Sequence, residues 1–160
     1  MLTQNRLKEV LHYETDTGHF LWKERISIRI VVGRIAGNVG KNGYREIKVF
    51  GLRTTVHRLA FFYMTGEWPP EDVDHINGNR DDNRWLNLRL VSRSVNLQNR
   101  HGPGIKNTTG FLGVSPSGGK YLAQIRADGC AKYLGRYSTP EEAHAVYVEA
   151  KRKYHAGCTI

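Results

Sequence analysis

At 160 residues the chain has room for one compact domain or two or three small units, since domains run ~50–200 residues, and its net charge of +9 draws it to polyanions. Two cysteines, Cys130 and Cys158, are too few for a four-ligand zinc site and make no disulfide framework, so no structural zinc is expected. The opening MLTQNRLKEVLHYE lacks the apolar core of a secretory signal, and no stretch approaches the ~18–20 apolar residues of a membrane span; the expectation is a soluble cytoplasmic protein with no membrane partner.

Charge is unevenly spread. Basic residues outnumber acidic ones two to one over residues 1–56 and again over 101–160, and equal them over 57–100. That pattern suits a carboxylate-bearing centre between two phosphate-gripping arms.

In chain order, Leu2, Leu7, Val10 and Leu11 recur at helical spacing, which predicts a short helix within residues 2–12. Residues 19–22 follow Thr17-Gly18 and read as a strand after a turn. Asn42-Gly43 is a strong turn signal. Residues 44–50 then alternate and end at Gly51, with a returning strand over 53–56. Residues 57–64 (HRLAFFYM) change period to a short buried helix, stopped by Gly66 and Pro69-Pro70. Residues 73–76 are strand-like. Residues 77–83 (NGNRDDN) form a loop of residues that tolerate left-handed backbone or bond their own main chain, and 88–91 return as a strand. Ser92 is an N-cap for a helix over 93–100, and 101–104 (HGPG) reads as linker. Three strands follow, over 111–115, 120–127 and 132–137, separated by Gly118-Gly119 and Asp128-Gly129. Thr139-Pro140-Glu141-Glu142 is a capping box with proline at the first helical position. Ala143, Val146, Tyr147, Ala150 and Tyr154 line one face of the helix it starts. Trp22, Trp68 and Trp85 read as core or loop anchors.

The chemistry concentrates in Val73-Asp-His-Ile-Asn-Gly78, Asn87-Leu-Arg-Leu-Val91 and Ser92-Arg-Ser-Val-Asn96. Phosphodiester cleavage needs an activated water, charge neutralised on the phosphorane and a stabilised leaving oxygen; one hard divalent cation on oxygen ligands supplies the last two. Asp74 offers an anionic oxygen, Asn96 a neutral carbonyl oxygen, and His75 a general base near neutral pH. Neighbours in a strand point to opposite sides, so the strand has to end or bend at Asp74-His75.

These residues, with V-H-R-L-A from Val56, the D-H-I-N-G-N-x-x-D-N-R run from Asp74, N-L-R from Asn87 and S-V-N-L-Q-N from Ser94, resemble the HNH nuclease family in its phage and intron homing-endonuclease branch. The resemblance covers residues 56–100. It implies His75 as general base, Asp74 and Asn96 as ligands of one divalent metal (Mg²⁺ or Mn²⁺), and Asn87 as the catalytic-site asparagine that braces the loop between the strands. Asn96 stands where many members have histidine, which leaves open metal preference and nicking against double-strand cutting. His57 and Arg58 also match the branch. With Arg80, Arg84, Arg89, Arg93 and Arg100 they are candidate DNA contacts.

Residues 107–157, with Gly113-Val114, Tyr121-Leu-Ala-Gln-Ile-Arg126, Tyr133-Leu-Gly135 and Thr139-Pro-Glu-Glu-Ala-His-Ala-Val-Tyr147, resemble an AP2-type DNA-binding domain, a three-stranded sheet laid in the major groove with a helix behind it. Alternation independently sorts the middle strand: Tyr121, Ala123 and Ile125 face the helix, while Lys120, Leu122, Gln124 and Arg126 face away, joined by Tyr133. Gln pairs well with adenine and Arg with guanine. Ser115 and Ser117 replace the arginines frequent in plant members, which implies weaker or different readout.

The reading is thus an α+β protein: a ββα-metal (HNH) core over 57–100, an N-terminal β-rich DNA-gripping extension over 1–56, a linker over 101–106 and an AP2-like three-stranded sheet plus helix over 107–160. The implied function is a homing-type, site-specific endonuclease of phage or mobile-element origin, acting as a monomer on double-stranded DNA in the host cytoplasm. Removal of 107–160 is expected to weaken site binding far more than the chemistry. A catalytically inactive DNA-binding regulator is the alternative; an RNA-binding module is disfavoured because the aromatics look inward.

Overall fold

The computed structural model describes residues 2–104 and 106–160. The chain divides into two compact units, Met1–Ser92 and Arg93–Ile160. Among the described residues no helix is long and apolar enough to cross a membrane.

The first unit opens with α1 (Gln4–Val10), whose first turn is capped by Thr3 Oγ1 accepting from the Arg6 amide at 3.3 Å. Its buried Leu7 and Val10 sit on one face, as the spacing predicts. β1 (Leu11–Glu14) and β2 (His19–Trp22) pair as an antiparallel hairpin with Leu11 opposite Trp22. A second sheet runs β3 (Asn38–Val39), β4 (Arg45–Val49), β5 (Leu52–Thr55), the last two joined through Phe50-Gly51, both at positive φ. α2 (Val56–Thr65) ends at Gly66, whose φ of 84° is a left-handed cap that returns its N–H to the Phe62 carbonyl. β6 (Asp72–His75) and β7 (Leu88–Val91) then form a two-stranded ribbon.

One apolar cluster unites this unit: Leu7, Val10, Leu11, Phe20, Val56, Leu59 and Ala60 are fully buried in it, with Tyr13, Ile47 and Phe62 nearly so. Residues 1–56 therefore share a core with α2. Trp22 is buried in it, Trp68 stacks on Phe62 at 4.6 Å and Trp85 lies tilted against Phe61. The segment over 23–35 runs outside, carrying exposed Arg25, Arg29 and Arg34 beside exposed Ile28, Val31 and Val32.

The second unit contains α3 (Arg93–Gln98), a sheet of β8 (Val114–Ser117), β9 (Lys120–Ala127) and β10 (Cys130–Tyr137) in the order β10-β9-β8, and α4 (Pro140–Tyr154). The capping box forms: Thr139 Oγ1 accepts from the Glu142 amide while the Glu142 carboxylate accepts from the Thr139 amide. α4 buries Ala143, Tyr147 and Ala150 against Val114, Ala123 and Ile125.

Several element ends shift from expectation by a residue or two, and three further differences fall in the second unit. β8 starts at Val114 and not at 111, because the Asn107 amide donates to the carbonyls of Phe111 and Val114 and folds the intervening residues into a turn. β10 begins at Cys130, two residues ahead of the expected start. On α4, Tyr154 is 38% exposed whereas Lys151 is 1% exposed: the helix turns its inward stripe onto the lysine before its last turn.

Candidate active site

The β6–β7 ribbon sets the geometry. Asp74 lies opposite Arg89 and His75 opposite Leu88. Both Asp74 and His75 are buried. On one side of the ribbon Asp74 Oδ2 accepts from Arg89 Nε at 3.0 Å and Nη2 at 2.9 Å. The strand ends at His75, whose carbonyl accepts from the Gly78 amide at 2.9 Å, so the ladder stops where the sequence requires it to.

The loop between the strands is stitched by its own polar residues. Asn87 Oδ1 accepts from the Asn77 amide at 3.0 Å, and Asn87 Nδ2 donates to Asn77 Oδ1 at 3.0 Å and to the Asp82 carbonyl at 2.7 Å. Asn87 is 8% exposed and spends its hydrogen-bonding capacity on the loop, so it acts as a brace. Arg84 grips Asp82 with Nε at 2.7 Å and Nη2 at 2.6 Å, and that pairing drops the Asp82 carboxyl to about 2.

Neighbouring elements of the unit hold the same loop. Tyr13 Oη donates to the Asn83 carbonyl at 2.6 Å, and the Trp85 amide donates to the Thr15 carbonyl at 3.0 Å. Gly18, at φ 76°, presses so close that a Cβ there would stand 2.3 Å from the Asn83 carbonyl carbon. From the second sheet, Arg45 pairs with both oxygens of Asp81 at 2.9 and 3.0 Å.

These constraints converge on Asn83, which is 1% exposed and was not singled out by the sequence. Its Nδ2 donates to the Asp81 carbonyl at 3.0 Å, so Oδ1 is the end that lies 3.1 Å from His75 Nε2. An amide oxygen only accepts, so Nε2 carries the proton in the neutral ring and the lone pair sits on Nδ1. Burial pushes the His75 imidazolium below its ordinary range, against the opposing pull of the Asn83 bond and of Asp74. The ring is therefore neutral at physiological pH. The only sequence signal for Asn83 is its place in the D-N-R run.

Behind His75 lies a ring cluster: His57 at 5.0 Å edge-on, Tyr44 at 5.9 Å, and Arg80 over the Tyr44 face at 5.0 Å. His57 is buried, with Nε2 3.2 Å from Thr55 Oγ1. Burial, with His75 and Arg58 adding, lowers it to about 3. Of the arginines expected to meet DNA, Arg58 donates to the carbonyls of Pro69 and Glu71, Arg80 to the Asn42 carbonyl, Arg84 to Asp82 and Arg89 to Asp74. All four brace the first unit.

Asn96, Arg93 and Arg100 belong to the second unit, Arg93 and Arg100 being exposed. There the sheet's outward face carries exposed Lys120, Gln124, Arg126 and Tyr133, with Tyr133 directly opposite Gln124. A β-bulge between Tyr133 and Gly135 brings Arg136 opposite Leu122 and onto the same face, a position that uninterrupted alternation assigns to the helix side. A groove of about 940 Å³ runs between α3, at Ser94, Leu97 and Arg100, and the sheet, at Gln124 and Arg126.

As for a metal, no group of three or more His, Cys, Asp or Glu side chains converges among the described residues. A hard cation that keeps several waters needs few protein oxygens. A buried carboxylate held in place by a guanidinium fits that mode of binding and not a soft N/S cage.

Residues 54–98 match the HNH endonuclease family. The chain is also 33% identical over 97 residues to DNA endonuclease I-HmuI of Bacillus phage SP01, an alignment that covers 50% of this chain and 56% of that relative. No solved structure matches. The matched residues include Asp74, His75, Asn83, Asn87 and Asn96.

Proposed function

We propose that the protein is a homing-type, site-specific DNA endonuclease that hydrolyses a phosphodiester bond in one strand of a duplex. The observation that carries this reading is the state of His75: buried, neutral, with Nε2–H directed to Asn83 and the lone pair on Nδ1, beside a buried carboxylate. A neutral imidazole with a fixed tautomer is what a general base for water requires. Asp74 and Asn96 are the residues that hold one divalent cation, Mg²⁺ or Mn²⁺. When bound, that ion neutralises charge on the phosphorane and stabilises the departing 3′-oxygen.

The chain's own steps follow. Arg89 fixes the Asp74 carboxylate, Asn83 and the His57–Tyr44 rings fix the imidazole, and His75 Nδ1 takes the proton as water attacks phosphorus. The products carry 5′-phosphate and 3′-hydroxyl ends. Binding is divided between exposed Arg25, Arg29 and Arg34 of the first unit and an AP2-like sheet face over 107–160, with Lys120, Gln124, Arg126 and Tyr133 toward the duplex. The protein acts as a monomer.

The test is a supercoiled plasmid carrying a cut site selected from a genomic library, incubated with Mg²⁺ or Mn²⁺. Nicked circles that vanish with chelator are expected. His75→Ala should lower the rate about 10²–10⁴-fold with duplex affinity retained, and Asn96→Ala should lower cutting while leaving a mobility shift in place. Cutting by His75→Ala at the wild-type rate removes His75 as the base.

A further inference from the structure

α3 poses a problem of stability within the second unit. It has six residues and buries none of them, and helices shorter than about 12–15 residues are marginal on their own. Several of its ties arrive from far along the chain. Lys151 of α4 donates Nζ to the Arg100 carbonyl, just beyond the helix. A buried ammonium is tolerable only when hydrogen-bonded, so this bond is required by the burial of Lys151.

The tail after α4 adds further ties. The Gly157 amide donates to Gln98 Oε1 at 3.1 Å. Thr159 Oγ1 donates to Asn99 Oδ1 at 2.5 Å and lies 2.9 Å from His101 Nε2, which is 3.1 Å from Asn99 Oδ1. Gly157 comes so near that a Cβ there would stand 2.3 Å from the Val95 carbonyl oxygen, the backbone of α3 itself. At its start the tail is tied to the sheet, His155 Nε2 lying 2.9 Å from the Arg126 carbonyl.

We propose that Lys151, Gly157 and Thr159 are positioning residues for the cutting reaction: they strap α3 and so set where Asn96 sits. The inference rests on the reading of Asn96 as a metal-holding residue. It makes the C-terminal segment part of the cutting machinery, so removal of 107–160 lowers the chemical rate as well as site binding. A ligand-bearing helix that shifts by about 1 Å loses roughly 10²-fold in rate, and a six-residue helix with no fully buried residue depends on such ties to resist the shift.

The experiment uses the full chain and compares Gly157→Ala, Thr159→Val and Thr159→Ser in steady-state plasmid nicking with Mn²⁺, alongside hydrogen exchange of the amides over 93–98. Gly157→Ala wedges a methyl against Val95; Thr159→Val removes the hydroxyl at nearly constant volume. Both should lower kcat about tenfold or more, leave KM within about twofold and speed α3 exchange, whereas Thr159→Ser keeps wild-type values. Should Gly157→Ala fail to fold, Thr159→Val carries the test. Unchanged kcat in the folded variants, or a fall in kcat with unchanged α3 exchange, overturns the strap. Asn96→Ala in the same assay separates the two ideas: if it cuts normally the metal-holding role of Asn96 is wrong, while faster exchange in Gly157→Ala still shows that the tail holds the helix.

Discussion

The loop that seats His75 and the helix that carries Asn96 are held in opposite ways. The loop over 76–87 is pinned by satisfied groups from several directions: the Asn77–Asn87 amide pair within it, Tyr13 and Gly18 of the first hairpin, and Arg45 of the second sheet. α3 buries nothing and is tied by polar bonds to residues some sixty positions later. The contrast teaches that, where His75 and Asn96 serve one reaction as proposed, different changes damage each. Changes around the loop reach stability and rate together. Changes at the strap are expected to reach the rate together with the order of α3.

The largest effect that sharpens this contrast comes from the first hairpin. Gly18→Ala carries both a left-handed φ and a clash with the Asn83 backbone, whereas Gly33→Ala carries a φ of 80° and meets nothing within 4 Å. Gly33→Ala should cost about 1–2 kcal/mol, the backbone term alone. Gly18→Ala should cost about 3 kcal/mol or more, overpacking being added. All three tryptophans lie in the first unit, so fluorescence-detected urea unfolding reads that unit directly. Equal losses for the two variants would mean that the hairpin does not press on the loop.

Asn83→Ala comes next. It strands the buried His75 Nε2–H, which costs about 1–3 kcal/mol, and it frees the tautomer. The nicking rate should fall tenfold or more with duplex affinity unchanged. A full-rate Asn83→Ala enzyme would show that the ring cluster alone orients the base.

A smaller effect tests the cluster behind His75. His57 sits at about 3 in the folded protein against an ordinary 6.5. The unfolded chain therefore takes up the proton first as pH falls. The stability contribution is whole above pH 6.5 and is lost toward pH 3; by pH 5.5 about 1.4 kcal/mol is gone. His57→Phe should flatten that part of the stability profile. A slope unchanged by His57→Phe would place the sensitivity on His75, which shifts in the same direction.

Much of this was legible in the residues, and the reasons are local. β9 has the boundaries its alternation predicts, and β7 those its flanking turns predict, because period-2 burial acts residue by residue. α4 starts at its capping box and α2 stops at Gly66 for equally local reasons. What escaped depended on distant partners. Asn83 reads as one more loop asparagine until Tyr13 and Asp81 fix its carbonyl and amide beside His75. The burial of Lys151 follows from the Arg100 carbonyl and not from helical period. Likewise, the bonds from the tail to Gln98 and Asn99 join residues some sixty positions apart, which no local pattern announces.

The β-bulge supplies the smallest and most pointed test. Strict alternation from Tyr133 puts Gly135 and Tyr137 outward; the bulge instead pairs Tyr137 with Tyr121 on the helix side and turns Arg136 outward beside Leu122. Lys132, one residue before Tyr133, pairs with Ile125, and its ammonium lies 5.0 Å over the Tyr154 ring on the α4 side. Both residues are single positive charges on the same strand, so their effect on net charge is identical and only the face differs. If the outward face meets the duplex backbone, Arg136→Ala should weaken binding modestly for every sequence and reduce the slope of log K against log salt by about 1. Lys132→Ala should leave that slope unchanged. Equal slopes for both variants would mean that the duplex responds to overall charge, and the sheet face would lose its claim to be the contact surface.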